Sequence, residues 1–486
     1  MARHREAAAA DGAAACMMDI LEELARIGAE EAGTELPGTE RMAAGTKAQA
    51  RMMAAGPETQ ARTAAAEADS GGSGERPGKA EARRGDAKEQ PDMAGVPAGV
   101  TRLLYDEAWL DAQRHLEARL AGLGLETRWD RTGSLYGRLP GRDGGRTILT
   151  GSHVDTVRRG GRYDGAYGIA AGIAALDALN RLYGPPRRTL EVVSLCEEEG
   201  SRFPLSYWGS GNLTGRYGPA DAGRYRDADG ATLEEAMHGA GFGGESLPDP
   251  RRHDLDAFVE LHIEQGVVLE RTGDDVGIVE AIVGQRRYAM TLAGEANHAG
   301  TTPMGLRRDA LAGAAEMLLA AEKAAREHGD PLVATCGRIE VQPGTVNVVP
   351  GEAAFTLDVR HDDAAGLDAF CSGLLRTFGA IADRRGLKLE STLWMDAAPA
   401  PMHPGLAAML EASAAGLGLC SRRMASGAGH DAQLLQGICP TAMLFVPSRG
   451  GISHSPLEYT EPEDLKRGLA VLMDVLYELA YEERVP

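Results

Sequence analysis

The chain lacks the marks of a secreted, membrane-spanning or nucleic-acid-binding protein. Only six cysteines occur in 486 residues (Cys16, Cys196, Cys336, Cys371, Cys420 and Cys439), and none forms a CxxC pair. Their scatter argues against a disulfide framework and a zinc ribbon, and fits a reducing cytoplasm in which cysteines act as small core hydrophobes. No uninterrupted apolar run of about 18 residues appears, so no membrane-spanning helix is expected. The opening MARHREAAAADGAAAC is basic and Ala-rich, but no apolar region and cleavage site follow it, so no secretory signal is read there. Lys and Arg number 51 against 71 Asp and Glu, a net charge of −20. Nucleic acid and anionic membrane are therefore not expected partners, and the acidity itself serves solubility. No internal repeat, HExxH helix, P-loop, GxSxG elbow or Rossmann fingerprint is found.

What is present is globular: 43% apolar and 25% charged residues. The length exceeds one ordinary core, which implies two or three domains. Residues 17–32, MMDILEELARIGAEEA, carry helical spacing. From 33 to 97 large apolar side chains almost vanish, and that stretch is expected to be a disordered insertion. VTRLLYDEAWLDAQRHLEARLAGLG reads as an amphipathic helix closed by glycine. RTILTGSH, TLEVVSLC and AFVELHIEQG then read as buried strands, with the helix GIAAGIAALDALNRL between the first two. Alternating strands and helices imply an α/β fold, a mixed, largely parallel sheet with helices on both faces. Between 283 and 396 the order β-α-β-β-α-β implies a separate α+β unit, a four-stranded antiparallel sheet with two helices on one face. Residues 397–486 return to the first domain, made also of 17–32 and 98–282.

Candidate chemistry gathers just past the buried strands, where α/β sheets place their sites. His153 ends the first strand in GSHVDTV, and Asp155 two residues on is suited to accept its free imidazole N–H. Asp164 lies in the Gly-rich GGRYDGAYG, which could equally be a surface turn with an Asx cap. Glu197, Glu198 and Glu199 follow LEVVSL directly; at the mouth of a buried strand adjacent carboxylates are costly unless a cation compensates. One of them can bind metal while its neighbour faces the reaction centre. His262 in ELHIEQG and His454 in GGISHSPLE complete a nitrogen–oxygen set suited to zinc, manganese or cobalt, with one carboxylate shared by two ions. Each residue alone is weak evidence, since a histidine after a strand is more often structural.

The ordered run GSHVDTV, GGRYDGAYG, EEEGSRFP, ELHIEQG, GEANHAGTTPM, NVVPG, SGAGHDA and ISHSPLE resembles the dinuclear metallo-amidohydrolases that cleave ureido groups. These are the allantoate amidohydrolases and N-carbamoyl-L-amino-acid hydrolases, relatives of the zinc peptidases, and the likeness runs from about Leu103 to the C-terminus. The resemblance implies a zinc-peptidase-like catalytic domain holding two divalent ions per subunit, one on His153 and His262, the other on Glu199 and His454, with Asp164 bridging. It implies Glu198 as general base beside Glu199, and a homodimer whose small dimerisation and lid domain carries the dimer contact and part of the neighbour's active site; Asp155 is a further expected catalytic residue. On that domain it implies that His298 and Asn347 hold a substrate oxygen and Arg360 a substrate carboxylate. His430 in SGAGHDA is a further substrate-side or hinge-side histidine of the pattern, and Gln265 is expected on the substrate side. Read without the resemblance, His298 and Asn347 are turn residues and Arg360 a solvated strand charge.

Strings such as EEEGSRFPLSYWGSGNLTG, VGQRRYAMTL and LWMDAAPAPM resemble the allantoate branch more than the carbamoyl-amino-acid branch. In GQRRY, alternation puts Gln285 and Arg287 on one face, so that Arg287 offers a second anchor for a ureido arm. The expected substrate is thus small, anionic and wholly polar, and the expected reaction belongs to purine-nitrogen recovery. A carbamoyl amino acid is the alternative, and a metal-free binding relative a remote one. The sixty-odd residues between the first helix and VTRLLY depart from the family pattern.

Overall fold

Two sheets organise the residues described by the computed structural model, 2–30 and 98–482; the expected insertion at 33–97 lies outside them. The larger sheet begins with β1 (Glu126–Trp129), β2 (Leu135–Leu139), β3 (Thr147–His153), β4 (Thr189–Leu195), β5 (Leu255–Ile263) and β6 (Val276–Ile282). The smaller takes β7 (Gly284–Ala293), β8 (Val333–Thr335), β9 (Ile339–Gln342), β10 (Glu352–His361) and β11 (Lys388–Ala397). The chain then returns to the larger sheet with β12 (Ala400–Pro401), β13 (Ser421–Ser426) and β14 (Thr441–Val446).

In the larger sheet the order is β12-β6-β14-β5-β3-β4-β2-β1, with β13 pairing β6. Its centre, β14-β5-β3-β4, is parallel, and the pairs β14–β6, β4–β2 and β2–β1 are antiparallel. Every residue of β3 and β4 is buried, so these strands show no apolar–polar alternation, and polar side chains within them such as Thr150, Ser152 and Glu191 are hydrogen-bonded inside. One face is covered by α1 (Ala2–Arg26), α2 (Glu107–Gly122), α3 (Ala166–Tyr183), α6 (Pro404–Gly416) and α7 (Pro462–Ala480). The other is covered by shorter pieces, including Trp208–Thr214 and Ala432–Leu435. No helix among the described residues is long and apolar enough to cross a membrane.

Two boundaries differ from expectation. The first helix starts earlier and stops at Arg26, because the buried Arg102 guanidinium caps its end through the Leu24 and Ile27 carbonyls and the chain turns to pair Ala29–Glu30 with Gly99–Val100. The second begins only at Glu107, where the Asp106 carboxylate accepts the Trp109 N–H at 2.7 Å as N-cap.

The smaller sheet has its own hydrophobic cluster, beneath α4 (Ala310–His328) and α5 (Ala364–Arg385) on one face. Along β10 burial alternates strictly: Ala353, Phe355, Leu357 and Val359 face those helices, and Asp358 and Arg360 face away. Four strands were expected and five are found. The outer position beside β10 is filled by two short segments, β8 and β9, separated by Cys336–Arg338.

Candidate metal centre

The site lies at the carboxyl ends of the parallel strands. His153 is the last residue of β3, the 197–199 turn follows β4, His262 is the penultimate residue of β5, and the loop 447–458 follows β14. Asp164 arrives from the β3–α3 loop, and its neighbour Gly165 must be glycine: φ is +64°, and a Cβ there would lie 2.3 Å from the His153 carbonyl oxygen.

The Asp164 carboxylate is the hub. Its Oδ1 is 3.6 Å from His153 Nε2 and 3.3 Å from His262 Nε2. Its Oδ2 is 3.3 Å from His454 Nε2, which is 3.4 Å from Glu199 Oε2. Two donor groups result, His153–Asp164–His262 and Asp164–Glu199–His454, each compact enough for one metal ion and sharing one carboxylate. The ring tautomers suit this. His153 Nδ1 lies 3.0 Å from the Asp155 carbonyl oxygen and His262 Nδ1 2.9 Å from that of Ile263, so each Nδ1–H donates to main chain and turns Nε2 to the centre, where that of His262 also accepts the Gly165 N–H at 3.1 Å. His153 and His262 are 1% exposed, whereas the His454 side chain is 50% exposed and marks the open side.

Asp155 acts differently from expectation. The backbone carbonyl of Asp155 takes the imidazole N–H, with its Oδ1 3.8 Å from His153 Nδ1. Its Oδ2 accepts the Glu198 and Glu199 N–H groups at 3.0 and 3.1 Å, fixing the turn that presents both glutamates. Gln265 Nε2 donates to Asp164 Oδ2 at 2.8 Å and to Ser453 Oγ at 3.2 Å, so in this structure it attends the shared carboxylate. His430 is buried behind the centre, its ring 4.5 Å from that of His262, and burial beside His262 holds it well below the usual histidine range.

The electrostatics ask for positive charge. Burial, with Glu199, Asp431 and Asp164 nearby, pushes Glu198 well above the usual carboxylate range, and burial with Asp164 pushes Glu199 up to about 8. Against its own burial, Asp164 holds His262 at about 9; the Asp164 hydrogen bond does the same for His454. Glu199 Oε1 is buried with no hydrogen-bond partner. Buried carboxylates, an orphaned oxygen and histidines that would exchange those protons for cations together fit two divalent ions. Glu198 Oε2 is 3.9 Å from His153 Nε2, beside the donor groups. Glu197, Gln265 and His454 all hold positive φ, a concentration of backbone strain at one site.

The smaller sheet presents a second group. His298 and Asn347 are exposed; Asn297–His298 pairs with Val348–Val349, and the Ala299 N–H donates to the Asn347 carbonyl at 2.9 Å. His298 Nδ1 accepts the Gly300 and Thr301 N–H groups, so neutral His298 carries its proton on Nε2. Gln285 and Arg287 do share a face, both donating to Asp358 Oδ2 (2.7 and 2.8 Å). Asp358 also receives Arg360 through Nε and Nη2, and Arg360 Nη1 donates to the Gly427 carbonyl at 2.7 Å. Arg287, Arg360 and Trp394 line a cleft of about 540 Å³. Among the described residues, no hydrogen bond or ion pair joins His298 or Asn347 to the Asp164 cluster.

Residues 149–478 match the model of peptidase family M20/M25/M40. The chain belongs to that family. The allantoate amidohydrolase of Escherichia coli (strain K12) is 48% identical over 81% of this chain and 95% of its own length. The N-carbamoyl-L-amino acid amidohydrolase of Geobacillus stearothermophilus is 37% identical over 82% and 97%. A hydantoinase/carbamoylase-family amidase of Burkholderia multivorans superposes with a TM-score of 0.75 at 34% identity, covering 78% of this chain and 92% of that one.

Within this M20/M25/M40 chain several residues escaped sequence reasoning. Asp358 binds two guanidiniums, and only the register that sets it opposite Arg287 reveals that. Glu260 accepts from Ser152 Oγ and the Ala432 N–H behind the two buried histidines; the alternation of β5, which puts Glu260 on the His262 side, was the available signal.

Proposed function

We propose that the chain hydrolyses a ureido C–N bond, with allantoate and water giving ureidoglycine, ammonia and carbon dioxide. The observation that carries the reaction class is the single Asp164 carboxylate set between two nitrogen–oxygen donor groups, with Glu198 beside them. The substrate follows from the higher identity to the allantoate relative, 48% against 37% for the carbamoyl one, and from a cleft whose wall carries two arginines sharing one aspartate. His153, Asp164 and His262 would hold one divalent ion and Asp164, Glu199 and His454 the other, manganese or zinc by donor type. When bound, the ions acidify water and polarise a carbonyl, effects worth several kcal/mol.

Glu198 takes the proton of the attacking water and returns it to the departing nitrogen. His298, with its proton on Nε2, and the Asn347 amide donate to the oxygen that gathers charge. Arg360, aligned by Asp358, offers a planar fork to the substrate carboxylate, and Arg287 anchors the far ureido arm.

His298 and Asn347 lie apart from the Asp164 cluster, which supports a homodimer in which a partner subunit supplies them. The exposed apolar side chains Met304, Leu306 and Val346 beside them support a contact surface there. Six free cysteines support a reducing, cytoplasmic setting. The test is steady-state hydrolysis of allantoate beside N-carbamoyl-L-amino acids, after chelation and re-addition of Mn²⁺, Zn²⁺ or Co²⁺. Chelation should abolish turnover and re-addition restore it on allantoate. Preference for a carbamoyl amino acid would reassign the substrate, and turnover in fully metal-free protein would overturn the mechanism.

A further inference from the structure

Asp164 and His454 must meet within 3.3 Å although they belong to loops far apart in sequence, Ser453 lying 289 residues after Asp164. One buried carboxylate spans both loops. Glu458, 4% exposed, accepts the Tyr163 N–H at 2.8 Å and the Asp164 N–H at 3.2 Å on Oε1. Its Oε2 is 2.8 Å from Ser453 Oγ, on the residue before His454. Ser453 has one hydroxyl proton and two acceptors in reach, Glu458 Oε2 and, at 3.2 Å, Asp164 Oδ2. The shorter contact assigns the proton to Glu458, while Gln265 Nε2 donates to the same oxygen. A steric feature points the same way. A Cβ at Gly161 would stand 2.0 Å from the Glu458 carboxyl carbon and Oε1, so the 160–164 loop can wrap this carboxylate only with glycine there.

We propose that Glu458 is a positioning residue for the metal centre, holding the Asp164 and His454 loops in the mutual geometry that the Asp164–Glu199–His454 ion requires. It is not itself a ligand; it acts on the main chain of one ligand loop and on the side chain preceding the other ligand. The role rests on the metal reading of the site given above. It is asymmetric. Both ions share Asp164, but only the second also takes a ligand, His454, from the other loop that Glu458 holds, whereas His153 and His262 are held by β3, β5 and their own backbone bonds; that second ion therefore depends on Glu458 more.

The test is calorimetric titration of chelated apoprotein with Mn²⁺, in wild type, Glu458→Ala, Glu458→Gln and Ser453→Ala, with melting temperatures of each apoprotein as a folding control. Wild type should bind two ions per chain. Glu458→Ala should weaken one of them about 10–100-fold, as is typical for lost support of a ligand, and leave the other nearly unchanged. Glu458→Gln, whose amide oxygen still accepts the Tyr163 and Asp164 N–H groups, should recover most of that loss. Both affinities unchanged in folded Glu458→Ala, or both weakened equally, would overturn the role. If Glu458→Ala does not fold, Ser453→Ala and Gly161→Ala decide: selective weakening of one ion supports the role, and unchanged affinities overturn it. Wild type binding fewer than two ions would overturn the metal reading, and this role with it.

Discussion

The metal-centre edge of the larger sheet and the outer face of the smaller one carry the same kinds of side chain under opposite constraints. At the centre, His153, His262 and the carboxylates Asp155, Asp164 and Glu198 are buried, the two histidines are tied to backbone, and Glu197, Gln265 and His454 are held at positive φ. Beside the smaller sheet, at the two-stranded ribbon of Asn297–His298 with Val348–Val349, His298 and Asn347 are exposed, and Arg360 reaches the rest of the chain through the Gly427 carbonyl. The first region is assembled within one chain, at the cost of burying charge that only cations offset. The second is preorganised locally, by Asp358 on the arginines and by backbone N–H groups on His298, and among the described residues no hydrogen bond or ion pair joins His298 or Asn347 to the centre.

The strongest way to break this comparison is Glu198→Gln. If the buried region holds the chemistry, turnover should fall about 10²–10⁴-fold while metal content by elemental analysis stays at the wild-type value. An active variant would move the base elsewhere.

His298→Ala and Asn347→Ala test the exposed region. Each should lower kcat about 10²–10³-fold with metal content unchanged, the size of a lost oxyanion donor. Mixing either variant with Glu198→Gln chains sharpens the contrast, because heterodimers regain activity if the exposed groups serve a neighbouring centre. Verified heterodimers with no recovery would mean that each chain closes on itself. The smallest effect belongs to neither region. Asp106→Ala, removing the N-cap of α2, should cost about 1 kcal/mol in denaturant unfolding and leave kcat and KM unchanged.

Much of this was legible in the chain. Apolar-rich stretches without strict alternation marked β3, β4 and β5 as buried strands, because a parallel sheet leaves no wet side. Alternation in GQRRY placed Gln285 and Arg287 together, since the period of two is a property of the backbone. The ligand types past strand ends followed from what metal ions accept as donors. Other features were not legible. The Asp155 carboxylate could as well have met an imidazole as the backbone it binds, and only the path of the 197–199 turn decided between them. The end of α1 at Arg26 was set by Arg102, a contact spanning 78 residues with no local signature.

By itself, then, the sequence determined the inventory: which strands are buried, which side chains can bind a cation, and where along each strand they emerge, all consequences of local periodicity and donor chemistry. Only the tertiary structure decided the sharing: that Asp164 stands between two donor groups, that Gln265 and Glu458 attend it, and that His298 and Asn347 remain apart from it. Those are relations between segments hundreds of residues apart. They depend on distances of a few tenths of an ångström, which the folded packing sets and no local pattern encodes.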